Sequence, residues 1–114
     1  MKPDKIEIKN VRIKNTMLGF EDHGIMTSFL YLEFENGGQG FGGYTLADRF
    51  GVDYIKEVLE VVGVDKWEDL KGKYIRIKRD GISLSSNIIA IGHIIDDKWF
   101  NPKELALKYK EKQE

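Results

Sequence analysis

Three groups of residues in this chain have types and spacings that could do chemistry. The first is Gly38-Gln39-Gly40-Phe41-Gly42-Gly43, which satisfies G-x-G-x-x-G letter for letter. In a dinucleotide fingerprint those glycines form a tight turn that brings a pyrophosphate against a helix N-terminus, inside a parallel βαβ unit. That setting is missing. Tyr44-Thr45 separates the motif from the following helix, no second parallel strand follows, and Glu60, near the spacing of a ribose-binding acid, falls within a helix. The context predicts a hairpin at Asn36-Gly37, then a glycine-lined strand. A strand without side-chain bulk also admits another backbone or a ligand's flat face.

The second group is Glu21-Asp22-His23, with His93 and the Asp96-Asp97 pair as possible completions of a metal or acid–base site. Adjacent loop residues rarely all face one site, and no HxxxH or HExxH spacing occurs. A polar, hydrogen-bonded turn is expected instead, with His93 a structural histidine within a strand. The third group is basic and aromatic: Arg76, Lys78 and Arg79 beside Tyr74, then Lys98, Trp99, Phe100 and Lys103. The solvated side of an amphipathic strand accounts for the cations. Next to exposed aromatics, however, cations suit a nucleotide, whose base stacks while its phosphate is neutralised. Phe100 also fits a hydrophobic staple onto Leu105, which leaves Trp99 the less easily explained aromatic.

The elements that must position these groups follow from hydrophobic period. Lys5–Thr16 alternates with a parity slip at Lys9-Asn10, predicting two short strands or one bulged strand. Ile25–Phe34 is apolar on both parities and reads as a central strand covered on both faces. Tyr54, Ile55, Val58, Leu59 and Val62 recur at helical spacing. Thr45 and Asp48 fit a capping box for that helix, Gly63 its stop and Gly51 a bend, and Asp65 fits the cap of a short turn bearing Trp67 and Leu70. Lys73–Arg79 and Asn87–Ile94 are strands joined through DGISLSS, and Asn101-Pro102-Lys103-Glu104 opens a C-terminal helix. The expected fold is α+β: a mainly antiparallel sheet of about five strands packed on one main helix, plus the short C-terminal helix, with residues 110–114 a frayed tail.

With 114 residues the chain is expected to form one domain, 1–114, with a single modest core. Its 18 basic and 19 acidic residues give a net charge of -1, so no global field draws it to a nucleic acid polymer or an anionic membrane. No cysteine is present, which excludes disulfides, thiolate catalysis and cysteine-held metals. Residues 1–20 lack an apolar h-region and no apolar run reaches membrane-spanning length, so a soluble, unprocessed protein is expected. No Ser, His and acid spacing resembles a nucleophile elbow. A binding protein without cofactor or resident metal is therefore the expected class, rather than an enzyme.

The stretches KNVRIKNTMLGFEDHGIMTSFLYLEF, GQGFGGYTL, VDKWEDLKGKYIRI and IGHIIDDKWFNPKE resemble small phage and prophage proteins along roughly the whole chain, more specifically the first described Thoeris anti-defence family. The resemblance implies a homo-oligomeric α+β protein in the cytoplasm of the infected bacterial host. Such proteins act as sponges for cyclic ADP-ribose isomers made by TIR enzymes and do not hydrolyse them; some members also bind cyclic di- or trinucleotides at a separate site. The connection LADRFGVDY looks shorter than is typical of the family, which puts a pocket wall or a second site in doubt. Chemistry, rather than alignment, nominates the ligand contacts: Arg76, Lys78, Lys98 and Lys103 for phosphate, Tyr44, Tyr74 and Trp99 for stacking, Asn87 and Ser86 for base or ribose edges. A sponge needs a deep preformed pocket, and a small chain gains wall by sharing it between subunits, so at least a dimer is expected. Two other classes stay open: a phage protein that blocks a host macromolecule by direct contact, and a small metal-dependent enzyme using Glu21, Asp22, His23 and His93.

Overall fold

The structure, a computed structural model, describes residues 6–35, 37–46, 49–81 and 86–112. Six strands form one antiparallel sheet: β1 (Glu7–Phe20), β2 (Met26–Phe34), β3 (Gly37–Thr45), β4 (Tyr74–Arg79), β5 (Ile88–Gly92) and β6 (Trp99–Phe100). Their order across the sheet is β3-β2-β1-β4-β5-β6. The main helix α1 (Arg49–Val62) and the C-terminal helix α2 (Pro102–Lys112) complete an α+β fold. The sixth strand is the two-residue β6, too short for a period to reveal. α2 continues to Lys112, so the helix reaches into the stretch expected to fray.

β1 is a single long strand, and its bulge falls at Lys14 rather than at Lys9-Asn10. Against β4 the pairing is unbroken from Glu7 to Arg12. The two parities are simply the two faces: Val11 and Ile13 point inward, while Ile6 and Ile8 stay exposed outside. β2 is covered on one face only. Leu30 and Leu32 are buried, whereas Phe29 and Tyr31 form an edge-to-face pair at 4.8 Å and Tyr31 is exposed. Outward-facing aromatics had hidden the alternation.

The sheet curls until its two edges meet. β3 and β6 stand at opposite ends of the strand order, yet Phe41 packs edge-to-face on Phe100 at 6.5 Å and Gln39 Nε2 donates to the Ser86 carbonyl at 3.1 Å. α1 lies over this seam, packing on β3, β5 and β6 as well as on α2. Its buried positions Tyr54, Val58, Val61 and Val62 enter one core with Val11, Ile13, Leu30, Ile75, Ile77, Ile91 and Phe100.

α1 starts at Arg49; Asp48, Asn36 and the centre of DGISLSS (82–85) lie outside the described residues. Gly51 does not divide the helix, which runs unbroken from Arg49 to Val62. It sits buried in the first turn, where an added Cβ would overlap the Thr45 carbonyl oxygen and crowd the Leu46 backbone. Gly51→Ala should therefore destabilise the fold by about 1–3 kcal/mol, although alanine is the better helix former by about 1 kcal/mol, because backbone atoms cannot yield as a side chain can. A thermal midpoint equal to or above that of the wild type would refute this. Gly63 ends α1 as expected, with φ +89 and its N–H on the Leu59 carbonyl at 2.9 Å. The turn at Trp67–Asp69 is flanked by Lys66 with no side-chain cap, so Asp65 does not cap it.

Candidate functional site

The glycine segment is the hairpin strand its context predicts. β3 pairs antiparallel with β2, Phe41 opposite Leu30 and Gln39 opposite Leu32 facing inward, so Gly38 and Gly40 fall on the outer face. On that side Gly38 and Gly40, with Lys14, Asn15, Tyr31 and Glu33, line a shallow groove of about 870 Å³. Arg12 donates to Glu33 at 2.9 Å and holds that carboxylate. Gly42 has a second role: with φ +112 it makes room for the Tyr54 hydroxyl, which donates to the Phe41 carbonyl at 3.3 Å.

A second cavity opens at the seam itself. This cleft of about 340 Å³ runs between β3 and the start of β5, with the N-terminus of α2 at its rim, and Tyr44, Asn87 and Lys103 all line it. Gln39, Phe41, Asp80 and Asn101 complete the polar and aromatic wall. Three of the nine nominated residues thus converge from three separate segments of the chain.

Each has a defined setting. Asn87 closes the β4–β5 connection: its backbone N–H and side-chain amide donate to the two Asp80 carboxylate oxygens at 2.8 and 3.4 Å, and its carbonyl accepts from Asp80 N–H at 3.0 Å. Asn101 caps α2 through the Lys103 N–H at 2.9 Å, as expected, and its carbonyl accepts from Glu104. The helix end therefore has few spare donors, and the positive charge it offers the cleft is the Lys103 ammonium. Tyr44 stacks on Phe50 at 5.1 Å and tilts against Tyr54 at 5.1 Å. Its ring is a wall more than a free platform, and burial pushes its phenol pKa up.

Of the other six, Ser86 adjoins the cleft, its carbonyl accepting from Gln39, and five lie elsewhere. Tyr74, Arg76 and Lys78 share the outer face of β4, and Trp99 joins them, its ring resting flat on Gly92. The ring carries the Lys78 ammonium at 4.2 Å and the Arg76 guanidinium at 4.9 Å, while its indole N–H donates to Asp97. Arg76 also donates to the His93 and Asp96 carbonyls, both at 2.8 Å. Trp99 and Arg76 are thus bound to each other and to the 93–97 loop. Tyr74 is 60 % exposed, and Lys98 is exposed in the loop before β6. Arg79, grouped with the basic face by its charge, points inward instead.

The Glu21 carboxylate accepts from the His23 and Ile25 N–H groups at 2.6 and 3.2 Å, making the hydrogen-bonded turn expected there. Its pKa is lowered, chiefly by the Ile25 N–H, against a smaller opposing effect of burial and with help from His23. His93 lies beyond the end of β5 rather than in it. Its Nδ1 accepts from Ile95 and Asp96 N–H, which fixes the loop. Among the described residues no three His, Asp or Glu side chains converge on a metal position.

Sequence reasoning missed Gln39 and Asp80. Gln39 is the sole polar side chain within GGQGFGGY apart from the tyrosine, and its inward parity opposite Leu32 was a usable signal. Asp80 pairs with a residue seven positions on, and no periodicity encodes that. No helix among the described residues is long and apolar enough to cross a membrane. No protein-family model, curated protein or solved structure matches the chain.

Proposed function

We propose that the seam cleft binds a compact phosphorylated nucleotide and holds it without turnover, as a phage anti-defence protein does when it sequesters a cyclic nucleotide immune signal such as a cyclic ADP-ribose isomer. The observation that carries this reading is the convergence of a cation, an amide and an aromatic, Lys103, Asn87 and Tyr44, on one cleft. Those are the groups a nucleotide needs for phosphate, base or ribose edge, and apolar wall. Absence of turnover is supported by Asp80, the one carboxylate among the described lining residues, which is occupied by Asn87. At about 340 Å³ the cleft is near the lower end of ligand pockets. A bulkier cyclic ligand would need wall from a second copy, so a homo-oligomer in the cytoplasm of the infected host belongs to the proposal.

The test is to incubate the purified protein with TIR-generated cyclic ADP-ribose isomers, remove free ligand, release by heat and identify what emerges by mass spectrometry. Intact isomer is expected; its absence, or recovery of only hydrolysed product, ends the reading. Lys103→Glu should weaken binding by at least about tenfold in calorimetry, since a hydrogen bond to a charged group is worth roughly 1.5–3 kcal/mol. Lys98→Ala should change it by less than about threefold, because isolated exposed charges contribute little.

One observation favours a different class. Ile6, Ile8, Tyr31 and Tyr74 are exposed on the outer face with Arg12 between them, a composition that suits protein contact. Retention of a host protein with no small molecule in the released fraction would favour that alternative.

A further inference from the structure

Half of β1 lacks a neighbour on one side. β4 pairs with it only from Glu7 to Arg12, and the last bonds on that side join Ile13 to Lys73 and Gly72. From Lys14 to Phe20 the strand pairs with β2 alone, so among the described residues its other side is a free sheet edge. Here β1 is the outer strand of a three-stranded end of the sheet, with β2 and then β3 behind it. Leu18, Phe20, Ile25 and Met26 are all exposed at this end, Phe20 to 72 %.

A sheet edge with unpaired backbone groups and uncovered apolar side chains is a ready template for pairing with another chain. Edges that must stay single are guarded by proline, inward charges or a covering element. The run Asn15–Phe20, NTMLGF, contains neither proline nor charge. We propose that this edge joins two copies of the chain, Lys14–Phe20 pairing antiparallel with itself about a two-fold axis at Met17.

Charge selects a second copy as the occupant. With Met17 opposite Met17, Thr16 of one copy lies opposite Leu18 of the other, and the acidic turn Glu21-Asp22 comes beside the start of the other's free edge. Lys14 and Lys73 are exposed there and enter no ion pair among the described residues; Asp22 is likewise exposed and unpaired. The two-fold satisfies both ends at once and extends the sheet continuously through the dimer. The inference rests on strand pairing and not on the cleft, so a dimer that releases no nucleotide ends the proposed function alone, and an oligomer that Met17→Cys does not trap ends this inference alone.

The chain has no cysteine, so Met17→Cys supplies a single thiol. Residues directly opposed in an antiparallel pair have Cα atoms about 4.5–5.5 Å apart, within disulfide range. Residue 16 meets its own copy only diagonally. Mild oxidation is expected to convert Met17→Cys to a covalent dimer and to leave Thr16→Cys monomeric on a non-reducing gel. Light scattering should give a dimer for the wild type and a monomer for Phe20→Lys with unchanged circular dichroism. Asp22→Lys should raise the dimer Kd about tenfold, and Lys14→Glu added to it should restore most of the loss. A monomeric wild type overturns the proposal. So does equal bridging at positions 16 and 17, or a dimer that Met17→Cys does not trap.

Discussion

Replacing Glu7 with glutamine should cost about 3 kcal/mol of folding stability, a large share of the roughly 5–15 kcal/mol that holds a small domain folded. Arg79 is only 2 % exposed and lies directly opposite Glu7 on the neighbouring strand. Both its Nε and Nη2 donate to the same Glu7 oxygen, at 2.9 and 2.6 Å, and its guanidinium lies over the Phe34 ring at 5.3 Å. Nη1 has no partner among the described residues, so the pair is already incompletely satisfied. Removing the carboxylate charge leaves a buried cation facing a neutral amide, the costly half of a broken ion pair. The apolar double replacement Glu7→Leu with Arg79→Met should cost far less than Glu7→Gln alone, because it deletes both charges and keeps the volume against Phe34. Urea midpoints at unchanged m value decide the matter. A Glu7→Gln midpoint within error of the wild type would show that solvent reaches the pair.

Arg79 also shows where the sequence was legible and where it was misread. In KYIRIKR the alternation places Ile75, Ile77 and Arg79 on one parity, and all three are buried. Grouping Arg79 with Arg76 and Lys78 by charge overrode a period that was correct. The glycine strand was readable for the same reason, since Gly38 and Gly40 alternate with the inward Gln39 and Phe41 and share the outer face. The α2 cap was readable because Asn101-Pro102 is a local signal whose partners lie within a turn. The seam was not. Strand period assigns faces but not neighbours, so nothing in the sequence foretold that Phe41 would meet Phe100 or Gln39 the Ser86 carbonyl. The nominated site therefore divided. Lys103 and Asn87 reached the cleft because the curl brought β3 to β5, while Trp99 turned onto Gly92, where only a glycine leaves room for its ring.

Tyr54→Ala should be at least as damaging as loss of Glu7, at about 3–5 kcal/mol, because it empties the junction on which the seam closes. Tyr54 is fully buried, and its ring lies 5.1 Å from Tyr44, 5.8 Å from Phe100 and 6.1 Å from Phe41. Through these contacts α1 ties β3, at one edge of the sheet, to β6 at the other, and no neighbouring side chain can swing in to fill the space of a lost ring. Tyr54→Phe keeps the ring and removes only the hydroxyl bond to Phe41, so about 1 kcal/mol is expected. The hydroxyl also gives the fold an alkaline limit. Burial first, and the nearby Tyr44 second, push the Tyr54 pKa far above the ordinary tyrosine value of 10.0. A folded-state pKa raised in this way contributes stability that is fully present below pH 10 and is lost as pH rises beyond it, because the unfolded chain can ionise there and the folded one cannot. Thermal melts between pH 7 and pH 11 should show the wild type losing stability above about pH 10, and Tyr54→Phe losing less, with the remainder coming partly from Tyr44, whose pKa is raised by burial too. Parallel pH profiles for the two proteins would place the Tyr54 hydroxyl in contact with water and remove it from the closure of the seam.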